Sequence, residues 1–171
     1  IKKIKELDAL DMNNDGKYYK HIIYSDVAGV NGAKMVASSL IANEFSLIYK
    51  NGKFVNDLKK SNYTFGLLTT STVYQKPLPV RLKKNMMATM NKRPDNIHGQ
   101  DMRFVILDSG FKEGIDVFDV KYMHILEPLI TKAENTQVIG RGTRFCGQSG
   151  LPFKPGVGWP LNIFRYNIKY N

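Results

Sequence analysis

The stretch from Phe104 to Val120 reads FVILDSGFKEGIDVFDV, and it decides the class of fold. Its first four residues form an apolar run that is typical of a strand buried on both faces. Small and polar residues follow at once, at Asp108, Ser109 and Gly110. In open parallel sheets, ligands bind beyond the carboxyl ends of the strands. The stretch therefore predicts a buried parallel strand that ends at a ligand-binding edge.

Short apolar runs of the same kind recur along the chain and alternate with segments of helical spacing. This alternation predicts an α/β fold of three layers, with a mostly parallel central sheet flanked by helices. Residues 1–171 form one domain, with a lead-in helix and turn at 1–17 and a Gly/Pro-rich loop at 147–160. The other predicted strands are His21–Ser25, Phe65–Val73, Met123–Leu126 and Asn162–Ile168, and the predicted helices are Ile1–Leu10, Ala33–Phe45, Arg81–Asn91 and Thr136–Phe145.

The composition restricts the partners and the compartment. The chain carries 25 Lys and Arg against 15 Asp and Glu, and this net charge of +10 favours a polyanionic partner such as nucleic acid. The sequence has no apolar run as long as the roughly 18 residues of a membrane span. Cys146 is the single cysteine, which favours a reducing, intracellular compartment. Since the chain opens on Ile1 rather than Met, we expect it to be part of a larger protein.

Gly114 and Asp116 form the first candidate site, beyond the strand that ends at Leu107. A glycine allows the backbone to approach a ligand closely. A carboxylate at this position can accept hydrogen bonds from ribose hydroxyl groups. The same residues also fit a turn that caps a helix, and the local sequence leaves both interpretations open.

The second candidate site is the segment QVIGRGTR, from Gln137 to Arg144. Arg141 and Arg144 are three residues apart, so on a helix they would lie on one side. Gly140 and Gly142 flank Arg141 and should allow its guanidinium group to reach outward. Paired guanidinium groups suit the charge that develops on a phosphoryl group during transfer. A solvated arginine pair on a surface helix is the alternative.

In this order, the two segments resemble motifs V and VI of superfamily-two helicases. QVIGRGTR resembles the Q-x-x-G-R-x-x-R signature, and the FCGQ that follows it is similar to Swi/Snf-type remodellers and to ATPases of large DNA viruses. His21–Ser25, followed by Gly32 and a helix, resembles motif IV. From His21 to Tyr166, the chain resembles the C-terminal RecA-like lobe of these helicases, most of all the helicase-type proteins of large cytoplasmic DNA viruses.

The resemblance implies a role for each residue that matches a motif. Arg141 and Arg144 would be the catalytic arginines that face the γ-phosphate of ATP across a cleft between two lobes. Asp116 would contact the ribose, and Gly114 would shape the motif V turn. Gln137 would couple the nucleotide cleft to the nucleic acid.

The same resemblance implies contacts with the backbone of DNA or RNA. Ser25, Ser109 and Gly110 would approach that backbone. Glu113 replaces the basic residue that many members of the family carry beside the motif V glycine, so a direct phosphate contact there is in doubt. The scattered histidines and the single cysteine predict no metal site of the chain's own.

The sequence contains no phosphate-binding G-x-x-x-x-G-K-[S/T] loop. We therefore expect ATP and Mg²⁺ to be bound mainly by a separate N-terminal RecA-like lobe of the same protein, and the 171-residue chain alone to be inactive. The alternative is a non-catalytic module that binds nucleic acid or protein through a retained helicase fold. A viral protein of this kind would act in the host cytoplasm or in the virion.

Overall fold

The helices and strands follow the alternation that the sequence predicts. The computed structural model describes residues 1–27, 31–50, 53–55, 61–69, 78–111, 115–127, 131–143 and 146–167. The helices in these ranges are α1 (Lys2–Asp15), α2 (Ala33–Ile41), α3 (Val80–Met90) and α4 (Lys132–Gly140). The strands are β1 (Lys20–Ser25), β2 (Ser46–Leu47), β3 (Tyr49–Lys50), β4 (Lys53–Phe54), β5 (Thr64–Leu68), β6 (Phe104–Asp108), β7 (Val120–Ile125) and β8 (Asn162–Arg165).

Six strands form the central sheet, in the order β2-β5-β6-β1-β7-β8, and every neighbouring pair is parallel. All residues of β1, β5 and β6 are buried, which is why these strands are apolar runs rather than alternating patterns. Strands β3 and β4 pair antiparallel in a separate two-stranded sheet. The predicted parallel sheet of an α/β fold is therefore confirmed.

Helices α3 and α4 lie against one face of the sheet. Gly66 of β5 and Ile22 of β1 both pair with Val105 of β6 and so point to the same face. A Cβ atom on Gly66 would lie 3.3 Å from the sulfur of Met86 in α3. A Cβ atom on Gly142, just beyond α4, would lie 3.5 Å from Cδ1 of Ile22.

Helices α1 and α2 cover the opposite face. Ile23, the next residue of β1, lines a cavity together with Ile4 of α1 and Val36 of α2. Successive residues of a strand point to opposite faces, so this face is the one away from α3 and α4. The described residues thus form the three layers that the sequence predicts.

One predicted turn is wrong: α1 continues through Asp11 to Asp15 instead of ending near Leu10. The polar composition of residues 11–17 suggested a turn, but the carboxylate of Asp11 is buried against the sheet. It accepts hydrogen bonds from the hydroxyl of Tyr122, at 2.8 and 2.9 Å, and from Nζ of Lys121 at 2.6 Å. Gly16 ends the helix in the left-handed conformation, with φ of 65°.

Other boundaries also differ from the prediction. Helix α2 ends at Ile41 instead of Phe45, and β8 ends at Arg165. Helix α4 begins earlier than predicted, because the side chains and backbone of Thr131 and Glu134 form a reciprocal capping box. Strand β5 ends at Leu68, and residues 70–73 of the predicted strand lie outside the described residues. Strands β3 and β4 have no counterpart among the predicted strands.

Three hydrogen-bonded side chains connect β1, β7 and the residue that follows β8. Nδ1 of His21 lies 2.9 Å from Nε2 of His124, and Nδ1 of His124 lies 2.8 Å from the hydroxyl of Tyr166. Burial lowers the pKa of His124 to about 4 and lowers the pKa of His21 well below its ordinary value. Both rings are therefore neutral at neutral pH.

These histidines predict a loss of stability in weak acid. The unfolded chain, with histidine pKa values of about 6.5, binds more protons than the folded chain between pH 6.5 and pH 4. The free energy of unfolding should therefore fall as the pH falls through this window, by about 3 kcal/mol from His124 alone. Urea denaturation at several pH values measures the effect.

The variant His124→Gln should flatten this pH dependence. His98→Gln is the matched control, because His98 is only half-buried and lies outside the His21–His124 contact, and it should retain most of the slope. If the free energy of unfolding of His124→Gln kept the wild-type dependence on pH, the loss of stability in acid would not come from His124.

Candidate functional site

The carboxyl ends of β1, β6 and β7 lie side by side because the strands are parallel and in register. Ser25 pairs with Asp108 at this edge, and Tyr24 pairs with Ile125. Glu127, two residues beyond β7, bridges the ends of β1 and β7. Its carboxylate accepts a hydrogen bond from Oγ of Ser25 at 2.7 Å and another from the backbone N–H of Asp26 at 2.9 Å.

The three residues predicted to contact nucleic acid differ in their exposure at this edge. Ser25 is fully buried, and its hydroxyl donates to Glu127. Ser109 and Gly110 belong to a short 3-10 turn directly after β6, where Ser109 is half-buried and Gly110 is exposed. The backbone N–H of Gly110 donates to the carboxylate of Asp108 at 3.0 Å. The nucleic-acid role of all three residues stays a prediction.

Gly32, in the segment that resembles motif IV, allows α2 to begin directly on the end of β1. A Cβ atom on Gly32 would lie only 1.9 Å from the carbonyl oxygen of Val27 and 2.9 Å from Oγ of Ser25. Any other residue would force these segments apart. The glycine is thus required by close packing at the same edge of the sheet.

An asparagine side chain helps to hold the segment around Asp116, which lies just before β7 at the amino-terminal edge of the sheet and not at the carboxyl edge where the sequence placed it. Nδ2 of Asn91, just after α3, donates to the carbonyl of Asp116 at 2.8 Å, and Oδ1 of Asn91 accepts from the N–H of Phe118 at 2.8 Å. From Ile115 onward the described chain enters β7 without forming a helix, so the alternative of a helix cap at Asp116 is wrong. Gly114 lies outside the described residues.

Arg141 brings the second candidate segment into contact with the first. The N–H of Val117 donates to the carbonyl of Arg141 at 2.9 Å, and Nη1 of Arg141 donates to the carbonyl of Ile115 at 3.3 Å. Nε of Arg141 is buried and has no hydrogen-bond partner among the residues that the structure describes. The residues flanking Asp116 therefore lie against Arg141.

Two expectations for the arginines are corrected. Helix α4 ends at Gly140, before both arginines, and Arg141 is only 7% exposed instead of reaching outward. Directly after the helix the chain runs along the sheet, since a Cβ atom on Gly142 would lie 3.5 Å from Cδ1 of Ile22. Arg144 lies outside the described residues, and Gln137 is exposed on α4, one turn before Arg141.

Sequence reasoning missed Glu127, which bridges β1 and β7 at their carboxyl ends, and Asn91, which holds the segment before the start of β7. Their partners are between 25 and 102 residues away along the chain, so no local pattern marks them. Among the described residues there is no group of three or more His, Cys, Asp or Glu side chains that could hold a metal ion. In the same part of the chain, no helix is both long and apolar enough to cross a membrane.

Comparison with known proteins supports the resemblance inferred from the motifs. No protein-family model matches the chain. Two putative ATP-dependent RNA helicases of Acanthamoeba polyphaga mimivirus are each 34% identical, over 85 and 69 residues, which is 50% and 40% of this chain. A termination factor NPH-I homologue of African swine fever virus is 28% identical over 112 residues, or 62% of the chain. The chain spans only 10%, 12% and 16% of the length of these relatives.

A solved structure shows the same fold. The C-terminal part of the Fun30 ATPase domain matches with a TM-score of 0.56 over 96% of this chain and 39% of that chain, at 13% sequence identity. At this identity, the match concerns the fold alone. The resemblance is thus confirmed in fold and in sequence similarity: the chain has the fold of the C-terminal part of that ATPase domain, and its sequence is similar to those of helicase-type proteins of large DNA viruses.

Proposed function

We propose that the chain is the second motor lobe of an ATP-dependent nucleic-acid helicase or translocase. The observation that carries the proposal is the contact between Arg141 and the residues on both sides of Asp116, just before β7 begins, because it brings together the two segments that resemble helicase motifs. The names of the viral relatives, which include ATP-dependent RNA helicases, agree with a motor of this class.

The electrostatic state of Arg141 supports a role toward an anion. Its guanidinium is largely buried, and no carboxylate pairs with it within the described part of the chain. A buried charge without a partner is unfavourable. The phosphate of a bound nucleotide would supply the missing negative charge, and arginines in this role stabilise the charge that develops during phosphoryl transfer.

The nucleotide would be shared between two lobes. Because the sequence contains no phosphate-binding loop, ATP and Mg²⁺ would be held mainly by an N-terminal RecA-like lobe of the same protein. This chain would add Arg141 and Arg144 at the γ-phosphate and Asp116 and Gly114 at the ribose side. Gln137, exposed on α4, would transmit closure of the cleft to the nucleic acid.

Nucleic acid would bind at the carboxyl edge of the sheet, at Ser109 and Gly110. The net charge of +10 supports a polyanionic partner. Ser25 would contact the nucleic-acid backbone only after its hydroxyl donates to a phosphate oxygen instead of to Glu127. That exchange would break the hydrogen bond between Ser25 and Glu127 that links β1 to β7. Binding of nucleic acid could thereby change the structure at the carboxyl ends of these strands.

A non-catalytic binding module with the same fold is the second candidate. The burial of Arg141 favours it, because an arginine packed this closely also serves to fasten α4 to the segment before β7. In that case, substitution of Arg141 would affect stability and leave any ATP turnover by the complete protein unchanged.

Substitution of the arginines in the full-length protein tests the motor proposal. Arg141→Ala and Arg144→Ala should each lower nucleic-acid-stimulated ATP turnover by about 10³-fold, since such arginines contribute on this scale to phosphoryl transfer. Steady-state phosphate release measures kcat. Lys154→Ala, which removes an exposed cation before β8, is the matched control and should retain full turnover. Turnover near the wild-type value in both arginine variants would contradict the proposal.

Substitution of Asp116 tests the ribose contact separately. Asp116→Ala should weaken nucleotide binding by about 10-fold, the scale of a lost hydrogen bond to a charged group. Its affinity for nucleic acid should change less. Titrations with a fluorescent ATP analogue and with a labelled oligonucleotide measure the two affinities in the full-length protein. A larger loss for the oligonucleotide would show that the segment has been assigned to the wrong ligand.

A further inference from the structure

We propose that the ion pair between Arg93 and Asp119 positions the nucleotide site by locking together the segments that follow Asp116 and Arg141. The inference rests on the proposed function of those residues and extends it to a pair outside the motifs. Arg93 and Asp119 touch neither nucleotide nor nucleic acid in this proposal. They are positioning residues, and we refer to the pair and its backbone partners at Cys146, Gly147 and Gly150 as the junction.

The ion pair itself is bidentate and largely buried. Nε of Arg93 donates to Oδ2 of Asp119 at 2.7 Å, and Nη2 of Arg93 donates to Oδ1 at 2.8 Å. The side chain of Asp119 is fully buried, whereas that of Arg93 is 31% exposed. Two parallel charge-assisted hydrogen bonds fix orientation as well as distance. The pair can therefore hold Asp119 in one geometry.

The junction also captures the turn that follows the motif VI segment. Nη2 of Arg93 donates to the carbonyls of Gly147 at 2.8 Å and Cys146 at 3.2 Å. The N–H of Asp119 donates to the same carbonyl of Gly147 at 2.7 Å, and the N–H of Gly150 donates to Oδ1 of Asp119 at 2.8 Å. Residues 146–150 are thus fastened to the residue that precedes β7.

The fit at Gly150 leaves no room for a side chain. A Cβ atom there would lie 2.7 Å from Oδ1 of Asp119. Gln148, in the same turn, donates from Nε2 to the carbonyl of Val120 at 2.8 Å. Gly147 and Gln148, in the turn that follows the motif VI segment, therefore dock onto the start of β7.

Two residues of the junction have an unusual backbone conformation. Asp119 and Cys146 adopt φ values of 57° and 56°, and Glu44 is the one other non-glycine residue with positive φ among the described residues. Side chains disfavour this conformation, so it persists where surrounding contacts impose it. Hydrogen bonds of the junction hold both strained residues, one on each segment.

The junction is anchored to the end of α3, which also holds the turn at Asp116. Asn91, two residues before Arg93, bonds to Asp116 and Phe118, while Arg93 bonds to Asp119. The end of α3 is in turn tied to the sheet, because the carbonyl of Met90 accepts a hydrogen bond from buried Nζ of Lys20 at 2.7 Å. Residues 116–119 are consequently held at both ends by Asn91 and Arg93, which follow α3.

This arrangement places fixed points close to both proposed ligand contacts. Asp119 is three residues beyond Asp116, and Cys146 is five residues beyond Arg141. Loss of the junction would let the two segments shift relative to each other, and displacements of about 1 Å at a catalytic group can lower a rate by about 100-fold. The expected defect is in kcat, because the arginine contact acts on the transition state.

The test compares Arg93→Lys and Asp119→Asn in the full-length protein with a neighbouring control. Arg93→Lys keeps the charge and removes the bidentate geometry. The control is Lys92→Gln, which breaks the adjacent exposed ion pair of Lys92 with Asp95, at 2.7 Å, outside the junction. The readouts are kcat and KM for nucleic-acid-stimulated ATP hydrolysis, the thermal midpoint, and hydrogen exchange of peptides covering 115–120 and 146–150.

Both junction variants should lower kcat by about 10-fold or more, with KM for ATP changed less than about threefold. The double variant should be no worse than the poorer single variant, because the two residues act as one unit. Exchange should accelerate at both 115–120 and 146–150, while Lys92→Gln should behave as wild type. If Asp119→Asn fails to fold, Arg93→Lys carries the test.

A lower thermal midpoint with unchanged kcat in Arg93→Lys would show a merely structural pair and overturn the inference. Unchanged hydrogen exchange at residues 115–120 in Arg93→Lys would also overturn the inference. This readout does not require the wild-type protein to hydrolyse ATP. Retained turnover in Arg141→Ala would instead defeat the proposed function. An inactive Arg141→Ala beside a normal Arg93→Lys would defeat this inference alone.

Discussion

The contact between Arg141 and residues Ile115 to Val117 is the interaction on which the candidate site depends. It joins two segments that are 24 to 26 residues apart. The parallel sheet makes the contact possible, because the chain returns to the amino-terminal edge before each strand, and the segment before β7 and the end of α4 meet there. Close packing of Gly142 on the sheet then brings Arg141 to the segment before β7. A site with components from several strands follows from this topology.

Three buried or partly buried arginines near the amino-terminal edge of the sheet differ in how their charge is balanced. Arg103 is fully buried and donates two hydrogen bonds, of 2.7 and 3.0 Å, to the carboxylate of Asp8. Arg93 is matched by Asp119 in the same bidentate manner. Arg141 has a carbonyl as its hydrogen-bond acceptor, and no carboxylate pairs with it among the described residues. Complete ion pairs stabilise a fold, whereas an incompletely matched buried cation is typical of a functional site.

The sequence predicts the fold best at strands that are buried along their whole length. It predicts the site best where the residues of a motif are close together in the sequence. Strands β1 and β6 are buried along their whole length, so their apolar runs identify them without tertiary information. The continuation of α1 through Asp11 was not predictable, since its reason is a hydrogen bond to Tyr122, 111 residues away. The burial of Arg141 was missed because flanking glycines suggested exposure, whereas Gly142 allows close packing. Arg93 and Asp119 carry no sequence signal, because their pairing depends on the path of the loop after α3.

The central claim is that Arg141 and the Asp116 segment form one wall of a nucleotide site that a second lobe completes. A structure of the full-length protein with Mg²⁺, ADP and aluminium fluoride, which mimics the transferring phosphoryl group, measures this directly. The account predicts the Arg141 or Arg144 guanidinium within about 3 Å of a fluoride and the Asp116 carboxylate at the ribose. A nucleotide held entirely by the other lobe, with both arginines and Asp116 facing solvent or protein, would contradict it.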